Sequence, residues 1–144
     1  MTAISTKKAM KLFVDTGAFI ALVDADDQNH KAAAAFYREI TGTDTRFVTT
    51  NFVVCETMNF LRARISYDIV LRFWENLKKS RFIDIVTVTP SIGDTAFRIF
   101  RQYADKEFSF TDGTSFLTMR SLRLKKAFTF DKHFGQFEGI GRLS

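Results

Sequence analysis

Four acidic residues occupy positions where a carboxylate could do chemistry: Asp15, Glu56, Asp112 and Asp131. Asp15 directly follows the apolar run "KLFV", and Asp131 directly follows "AFTF". Asp112 stands at the beginning of the segment "DGTSFLTMRS". Four carboxylates cannot share a small pocket without raising one another's pKa or recruiting a cation. What these residues can do therefore depends on whether the fold brings them together.

Three of these acids also have an ordinary structural explanation. A strand-end aspartate such as Asp15 or Asp131 often caps the following helix or turn. Asp112 opens a predicted helix, where free N–H groups and the helix dipole favour a negative charge. Taken singly, each aspartate is explained at least as well by its local structural role as by a functional one.

Glu56 lies in a predicted helix that is apolar on two sides. The stripe predicted to face the sheet consists of Val54, Met58, Leu61 and Ile65. On the opposite side, the helical neighbours of Glu56 are Phe52, Val53 and Phe60. We predict that this second face is covered as well, where an unpaired carboxylate is costly. The alternative is a partly exposed Glu56 that reaches water or bonds to Asn59.

Short apolar strands alternate with helices along the chain. The predicted strands are residues 11–14, 46–50, 82–89 and 127–130. The predicted helix starts lie at Asp15 or Thr16, Asp26 or Asp27, Asn51, Ser66, Pro90, and Ser109 or Thr111, and Gly42 ends the second helix. This alternation, with no hairpin signal, predicts an α/β fold in which helices cover both faces of a parallel sheet.

The predicted fold places all four acids at one edge of the sheet. Ligands of such sheets bind beyond the carboxyl ends of the strands, where the strand order reverses. Asp15 and Asp131 follow strands directly and would be adjacent if those strands are neighbours. Asp112 opens the helix before the last predicted strand, and Glu56 lies in the helix after the strand 46–50.

Length and composition predict a single domain over residues 1–144, with residues 1–10 as a flexible basic N-terminus. Hydrophobic residues make up 46% of the chain, including 17 phenylalanines, so a core can form without disulfides. The sequence contains no apolar run long enough for a membrane span and no secretory signal. The single cysteine, Cys55, fits a reduced, cytoplasmic protein.

The net charge of +5 becomes informative only if the acids cluster. With four of the 16 acidic residues in one pocket, the rest of the protein would carry 12 acidic and 21 basic residues. The result would be a negative pocket in a positive surface, which suits a phosphate-rich ligand. Candidate phosphate contacts are Arg62, Arg64, Arg120, Arg123 and Lys132, although each also suits an ordinary solvated surface.

The segments "LFVDTGAFIALVDADDQNH", "FVTTNFVVCET", "FSFTDGTSF" and "FTFDKHF" together resemble the PIN domain, and in particular the VapC-type toxin ribonucleases. The resemblance covers roughly residues 11–137. The family's acidic positions match Asp15, Glu56, Asp112 and Asp131, and its supporting hydroxyls match Thr16 and Ser115. A second acid two residues after the last one, present in some members, is absent here, because that position is His133.

The resemblance implies a three-layer αβα sandwich around a parallel sheet, with Mg²⁺ or Mn²⁺ in the acidic pocket. It also implies frequent homodimers, an RNA substrate and a small antitoxin protein that masks the site. We expect Asp15, Asp112 and Asp131 to bind the metal, with Glu56 either as a further ligand through water or as the residue that orients the nucleophile. A metal-free ribonuclease typically uses two histidines as its acid and base. This chain has only His30, which we expect in packing or at the surface, and His133, which lies near enough to Asp131 to touch substrate but which we expect in an exposed loop. We therefore expect metal-driven hydrolysis of single-stranded or looped RNA that leaves 5′-phosphate and 3′-hydroxyl ends.

Three other functions compete with a toxin ribonuclease. A haloacid-dehalogenase-like phosphatase also starts from a strand-end aspartate, but it needs a second aspartate where this chain has Gly17. A catalytically silent or non-toxin PIN-like module could bind RNA without cutting it. An interaction protein could use its two-sided apolar helices for assembly alone. Sensitivity of activity to EDTA, with recovery in Mn²⁺, separates the nuclease from the RNA-binding module. Salt-insensitive self-association without affinity for nucleic acid would favour the interaction protein.

Overall fold

Five parallel strands form one sheet, and helices cover it on both faces, as the sequence predicts. A computed structural model describes residues 10–136 and 141–143. In chain order the elements are β1 (Lys11–Val14), α1 (Thr16–Val23), α2 (His30–Thr41), β2 (Arg46–Thr50), α3 (Asn51–Arg64), α4 (Tyr67–Lys79), β3 (Ile83–Val86), α5 (Pro90–Gln102), α6 (Phe110–Ser121), β4 (Lys126–Phe128), a 3₁₀ helix (Lys132–Gln136) and β5 (Gly141–Leu143).

Two predictions about the ends of the chain stay open. The predicted flexible N-terminus, residues 1–10, lies outside the described residues apart from Met10. The extent of the single domain over residues 1–144 remains a prediction as well. Within the described ranges, every helix is too short or too polar to cross a bilayer.

The order of the strands makes β1 and β4 neighbours. The sheet runs β3-β2-β1-β4-β5, so the chain leaves β1 in one direction and later returns on its other side. Phe13 pairs with Ala127, and the backbone N–H of Asp15 donates to the carbonyl of Phe128 at 3.2 Å. Ligands of parallel sheets bind where the order reverses in this way. The reversal lies between the strands that Asp15 and Asp131 follow.

Aromatic packing fixes the segment that follows β4. Phe134, in the 3₁₀ helix, is fully buried. Its ring packs edge-on against Phe116 of α6, with centroids 4.9 Å apart, and lies 6.3 Å from the ring of Phe13. Contacts of this kind add to the free energy already gained by burying the rings. Because Phe134 is anchored in the core, Asp131 is held between β4 and that anchor.

The helix starts are partly as predicted. Ser66 and Ser109 each accept a hydrogen bond from a backbone N–H three residues on, and Pro90 occupies the first turn of α5. The prediction that Asn51 caps α3 is wrong. Thr50 is the cap, since its extended backbone ends β2 and its side chain accepts from the N–H of Val53. The Asn51 side chain instead accepts from the N–H of Val88 at 2.7 Å.

The prediction that α2 begins after Asp26 or Asp27 is also wrong, because the helix begins at His30. Asp24 and Asp27 each accept a hydrogen bond from the backbone N–H two residues on. In these local turns the aspartate side chains already bond to nearby backbone N–H groups, so they do not cap a helix. Gly42 follows the end of α2, as predicted.

Two strands differ in length from the prediction, and one strand was not predicted. The strand predicted over 82–89 spans Ile83–Val86, and the strand predicted over 127–130 spans Lys126–Phe128. The short edge strand β5, Gly141–Leu143, pairs with β4.

The second face of α3 is less covered than predicted. Phe60 is 36% exposed, and Asn59 is also exposed. The stripe predicted to face the sheet is only partly correct, because Ile65 ends the helix and is exposed while Val54 and Leu61 are buried. Within the described part of the chain, α3 therefore presents aromatic surface to solvent.

We predict that Thr49→Val destabilises the fold by about 1–2 kcal/mol, the usual effect of losing a buried hydrogen bond. The Thr49 hydroxyl is fully buried and donates to the carbonyl of Val14 at 2.9 Å, which ties β2 to the end of β1. Thr57→Val is the matched control, since Thr57 is equally buried but bonds within its own helix to Val53. Urea denaturation measures both variants. Thr57→Val gives the loss expected from a buried hydroxyl that bonds within one helix, and a Thr49→Val variant as stable as wild type would contradict the tie between β1 and β2.

Candidate active site

Asp15 sits at the N-cap position of α1, yet its side chain makes no capping hydrogen bond. The carboxylate is only 4% exposed and accepts a hydrogen bond from the Thr129 hydroxyl at 3.1 Å. The explanation of Asp15 as a simple helix cap is therefore insufficient. Its side chain also bonds to Thr129, just beyond the end of β4.

Asp131 is held by groups on both sides of it in the chain. Its backbone N–H donates to the Thr129 hydroxyl at 3.0 Å. Its Oδ1 accepts from the backbone N–H of His133 at 2.9 Å and lies 2.7 Å from the Nδ1 of the same residue. A carboxylate only accepts, so Nδ1 carries the proton in this contact. Thr129 thus contacts both strand-end aspartates, and His133 orients the second.

Asp112 combines a structural role with a place in the site. It forms a capping box with Ser109: its Oδ2 accepts from the N–H of Ser109 at 2.9 Å, and the Ser109 hydroxyl accepts from the N–H of Asp112 at 3.1 Å. This arrangement fixes the start of α6. Asp112 is 8% exposed, which is unusually buried for a helix-capping acid.

The pKa shifts show that the four carboxylates act on one another. Burial raises the pKa of Asp15 to about 7, helped by the negative charge of Asp112 and, less strongly, Asp131. The N–H of Thr16 and the hydroxyl of Thr129 oppose this rise. The pKa of Asp112 is also raised, mainly by burial, with Ser109 opposing the shift and the charges of Asp131 and Glu56 adding to it.

This electrostatic coupling links all four predicted residues. Asp112 is coupled to each of the other three carboxylates, and Asp15 is coupled to Asp131 as well. Coulomb interactions between side chains weaken steeply with distance and solvent exposure. Glu56 is half-buried on the second turn of α3 and reaches the group through Asp112. The four acids therefore belong to one electrostatic unit.

Two hydroxyls beside these acids are buried without a partner. Within the described part of the chain, Thr16 Oγ1 and Ser115 Oγ find no hydrogen-bond partner. Thr16 follows Asp15 directly, and Ser115 lies one helical turn after Asp112. An unsatisfied buried hydroxyl typically costs ~1–3 kcal/mol. Water molecules held by a cation would satisfy such hydroxyls, so this part of the structure fits a hydrated metal ion.

The donor set suits a hard divalent cation, although the carboxylates do not converge on a single point. Within residues 10–136 and 141–143, no three His, Cys, Asp or Glu side chains are grouped closely enough to hold a metal ion. Asp15, Asp112 and Asp131 are each turned to a local donor, namely Thr129, Ser109 and His133. Mg²⁺ keeps several of its waters and needs only one or two direct carboxylates. The predicted ligand set remains a prediction.

A comparison with known families decides what kind of domain this is. The family model for the PIN domain matches residues 12–140, nearly the whole chain. The chain belongs to the PIN-domain family. The family and the fold class predicted from the sequence are both confirmed.

Similar PIN domains include characterised toxins. The 23S rRNA-specific endonuclease VapC20 of Mycobacterium tuberculosis is 28% identical over 130 residues, which cover 90% of this chain and 94% of the relative. The crystal structure of M. tuberculosis VapC20, described as a sarcin-ricin loop cleaving toxin, matches with a TM-score of 0.79 and 26% identity over 87% of this chain and 93% of that one. A toxin–antitoxin complex from Klebsiella pneumoniae matches with a TM-score of 0.65 and 15% identity over 92% and 96% of the two chains, which shows the shared fold alone.

The sequence pattern did not predict the contacts that Thr129 and His133 make in this PIN domain. In the sequence, Thr129 is one polar residue in a predicted apolar strand. Its bond to Asp15 can be seen only when β4 is known to lie beside β1. His133 was expected to be an exposed loop residue, but its side chain is 14% exposed and contacts Asp131. The spacing Asp-x-His directly after a strand was the available signal. His30 packs as expected, with its Nδ1 2.7 Å from the carbonyl of Ala21.

We predict that Asp15→Asn stabilises the metal-free protein above pH 7. The ordinary pKa of this carboxyl is 3.8 and its folded value is about 7, so the folded state binds the proton more tightly. Stability contributed by the protonated group is lost as the pH rises from about 4 through about 7. The variant lacks this loss, so it should exceed wild type by a few kcal/mol above pH 7 and converge with it near pH 4.

Thermal and urea denaturation in EDTA across this pH range measure the effect. Asp94→Asn is the control, because Asp94 is exposed on α5 and its replacement should leave the pH profile unchanged. Identical pH profiles for wild type and Asp15→Asn would contradict the strained burial of Asp15.

Proposed function

We propose that this protein is a metal-dependent endoribonuclease that hydrolyses phosphodiester bonds in single-stranded or looped RNA, as the toxin of a toxin–antitoxin pair. The observation that carries the proposal is the coupled set of four carboxylates at the carboxyl edge of a PIN-domain sheet. The RNA-cleaving activity of the similar VapC20 supports the same reaction class.

Mg²⁺ or Mn²⁺ is the cation that this donor set fits best, since both ions prefer carboxylate oxygens and retained water. Asp15, Asp112 and Asp131 would bind the ion, and Glu56 would act through a bound water. Such an ion supplies a nucleophilic water near neutral pH and offsets negative charge on the reacting phosphate.

The chain's own contribution is to hold the carboxylates in place. Thr129 fixes Asp15, the capping box fixes Asp112, and His133 fixes Asp131. A residue that hydrogen-bonds to a metal ligand orients that ligand and helps to maintain the affinity for the metal. Because the pKa of Asp15 is about 7, its carboxyl is partly protonated near neutrality. A cation must displace that proton, so metal affinity should rise with pH.

RNA is the substrate class that the charge distribution supports. The acidic site lies in a chain with a net charge of +5, and the candidate phosphate contacts are all exposed: Arg62, Arg64, Arg120, Arg123 and Lys132. Exposed cations bind the phosphates of RNA without reading its sequence. The acidic pocket alone would repel RNA, so a bound cation has to bridge the two.

A separate groove could receive the antitoxin. A cavity of about 510 Å³ lies between α1, α2, α4 and β3, and its lining includes Phe19, Leu22, Phe73 and Leu77, with Arg38 and Arg72 also present. This chemistry fits an apolar protein segment that carries acidic residues. We propose this groove as the place where a small antitoxin binds. A homodimer and a cytoplasmic location remain predictions of the same proposal.

We predict that purified protein cleaves single-stranded RNA in Mn²⁺ or Mg²⁺, that EDTA abolishes cleavage and that Mn²⁺ restores it. Asp15→Asn should lower the cleavage rate by at least about 100-fold, because a catalytic metal contributes several kcal/mol and each ~1.4 kcal/mol corresponds to tenfold. Electrophoresis of end-labelled RNA measures the rate and identifies the 5′-phosphate on the product.

Asp94→Asn, prepared in parallel, should cleave like wild type and so excludes a contaminating nuclease as the source of the difference. Wild-type rates in Asp15→Asn would refute the assignment. RNA binding that is equal with and without EDTA, and that never leads to cleavage, would instead support a catalytically silent RNA-binding module.

A further inference from the structure

Helix α4 carries an apolar stripe that its own fold leaves uncovered. Tyr67, Leu71 and Trp74 are 57%, 43% and 42% exposed. They recur at the spacing i, i+4 and i+7, with Lys78 one turn further, so they lie along one line of the helix. The core-facing side is formed by other residues, including the buried Phe73 and Leu77. Exposed apolar stripes of this kind mark interaction surfaces.

Basic side chains lie over the aromatic rings of this region. Arg62 lies 5.6 Å from the centroid of the Tyr67 ring, and Lys78 lies 5.2 Å from that of Trp74. Arg64 lies 5.4 Å from the ring of Phe60, near the end of α3. These distances fall within the range of cation–π attraction. The three pairs are the cation–π pairs found in the described part of the chain, and they share one stretch of α3 and α4.

The charge of this stretch favours a polyanion over an ordinary protein partner. Apart from Arg72, which lines the groove proposed for the antitoxin, residues 60–81 contain five basic residues and two acidic ones, Asp68 and Glu75. Rings interleaved with cations are the arrangement that binds single-stranded nucleic acid, since bases stack on the rings and phosphates contact the cations.

The stretch also begins beside the acidic site. Glu56 and Phe60 are four residues apart on α3, so their side chains are neighbours on one helix face. From Phe60 the exposed rings continue through the end of α3 into α4. A strand of RNA bound along this line would reach the acidic site at one of its ends.

We propose that Phe60, Tyr67, Leu71 and Trp74, together with Arg62, Arg64 and Lys78, form a stacking platform for unpaired bases of the RNA substrate. The proposal rests on the proposed ribonuclease function and specifies how that site receives a single strand. It places base stacking on the α3–α4 surface and the cleaved bond at the four carboxylates.

Trp74 makes the platform directly observable, because it is the chain's single tryptophan. A short single-stranded RNA, titrated into the protein in EDTA, should quench tryptophan emission saturably, and added salt should weaken the effect. Tyr67→Ala should raise the Kd by roughly 5-fold to 100-fold, the effect of losing one stacked base. Phe97→Ala is the matched control, because Phe97 is 56% exposed on α5, outside the platform, and should leave the Kd unchanged.

A cleavage assay in Mn²⁺ separates this proposal from the proposed function. Tyr67→Ala should raise the KM for single-stranded RNA and leave kcat nearly unchanged, whereas Asp15→Asn should retain quenching and lose cleavage. Cleavage by wild type with unquenched emission, or with an unaltered KM in Tyr67→Ala, would overturn the platform. Quenching without any cleavage would overturn the nuclease and support the platform.

Sedimentation without RNA tests the competing occupant, a second copy of the chain. Emission that changes with protein concentration, together with a dimer that Tyr67→Ala disrupts, would overturn the platform by placing the stripe in a homodimer interface. A sedimentation coefficient that is the same in wild type and Tyr67→Ala supports it.

Discussion

A buried carboxylate among other carboxylates is the constraint on which the site depends. Asp15 is nearly inaccessible to solvent. Burial and the charge of Asp112 raise the free energy of its ionised form, so its pKa rises to about 7. The hydroxyl of Thr129 offsets only part of this effect. Such a residue is unfavourable for the stability of an empty protein, and a bound divalent cation would reverse that penalty. In the metal-free protein the ionised Asp15 therefore lowers the stability of the fold, whereas the proposed activity requires the same side chain.

The topology supplies this constraint without any unusual backbone at the site. Because β1 lies between β2 and β4, the ends of three adjacent strands and the start of α6 share one edge of the sheet. Hydrogen bonds then hold the aspartates: Thr129 contacts both Asp15 and Asp131, and Ser109 holds Asp112. Residues separated by more than a hundred positions in the sequence become one electrostatic unit in this way.

Features that depend on local sequence could be predicted, and those that depend on tertiary contacts could not. The alternation of strands and helices and the caps at Ser66 and Ser109 follow from nearby residues. The cap of α3 was misplaced by one residue, since Thr50 and Asn51 are both good caps and only the end of β2 decides between them. The bond from Thr129 to Asp15 and the exposure of Phe60 require knowledge of which elements pack together.

Anomalous scattering from a crystal grown with Mn²⁺ tests the central claim most directly, because it locates the ion without reference to activity. We expect a manganese peak at the carboxyl edge of the sheet, with at least one oxygen of Asp15, Asp112 or Asp131 at about 2.1 Å and Glu56 within reach through one water. A peak elsewhere on the protein, or none while these side chains keep to their local hydrogen bonds, would contradict a metal-binding role for the buried Asp15.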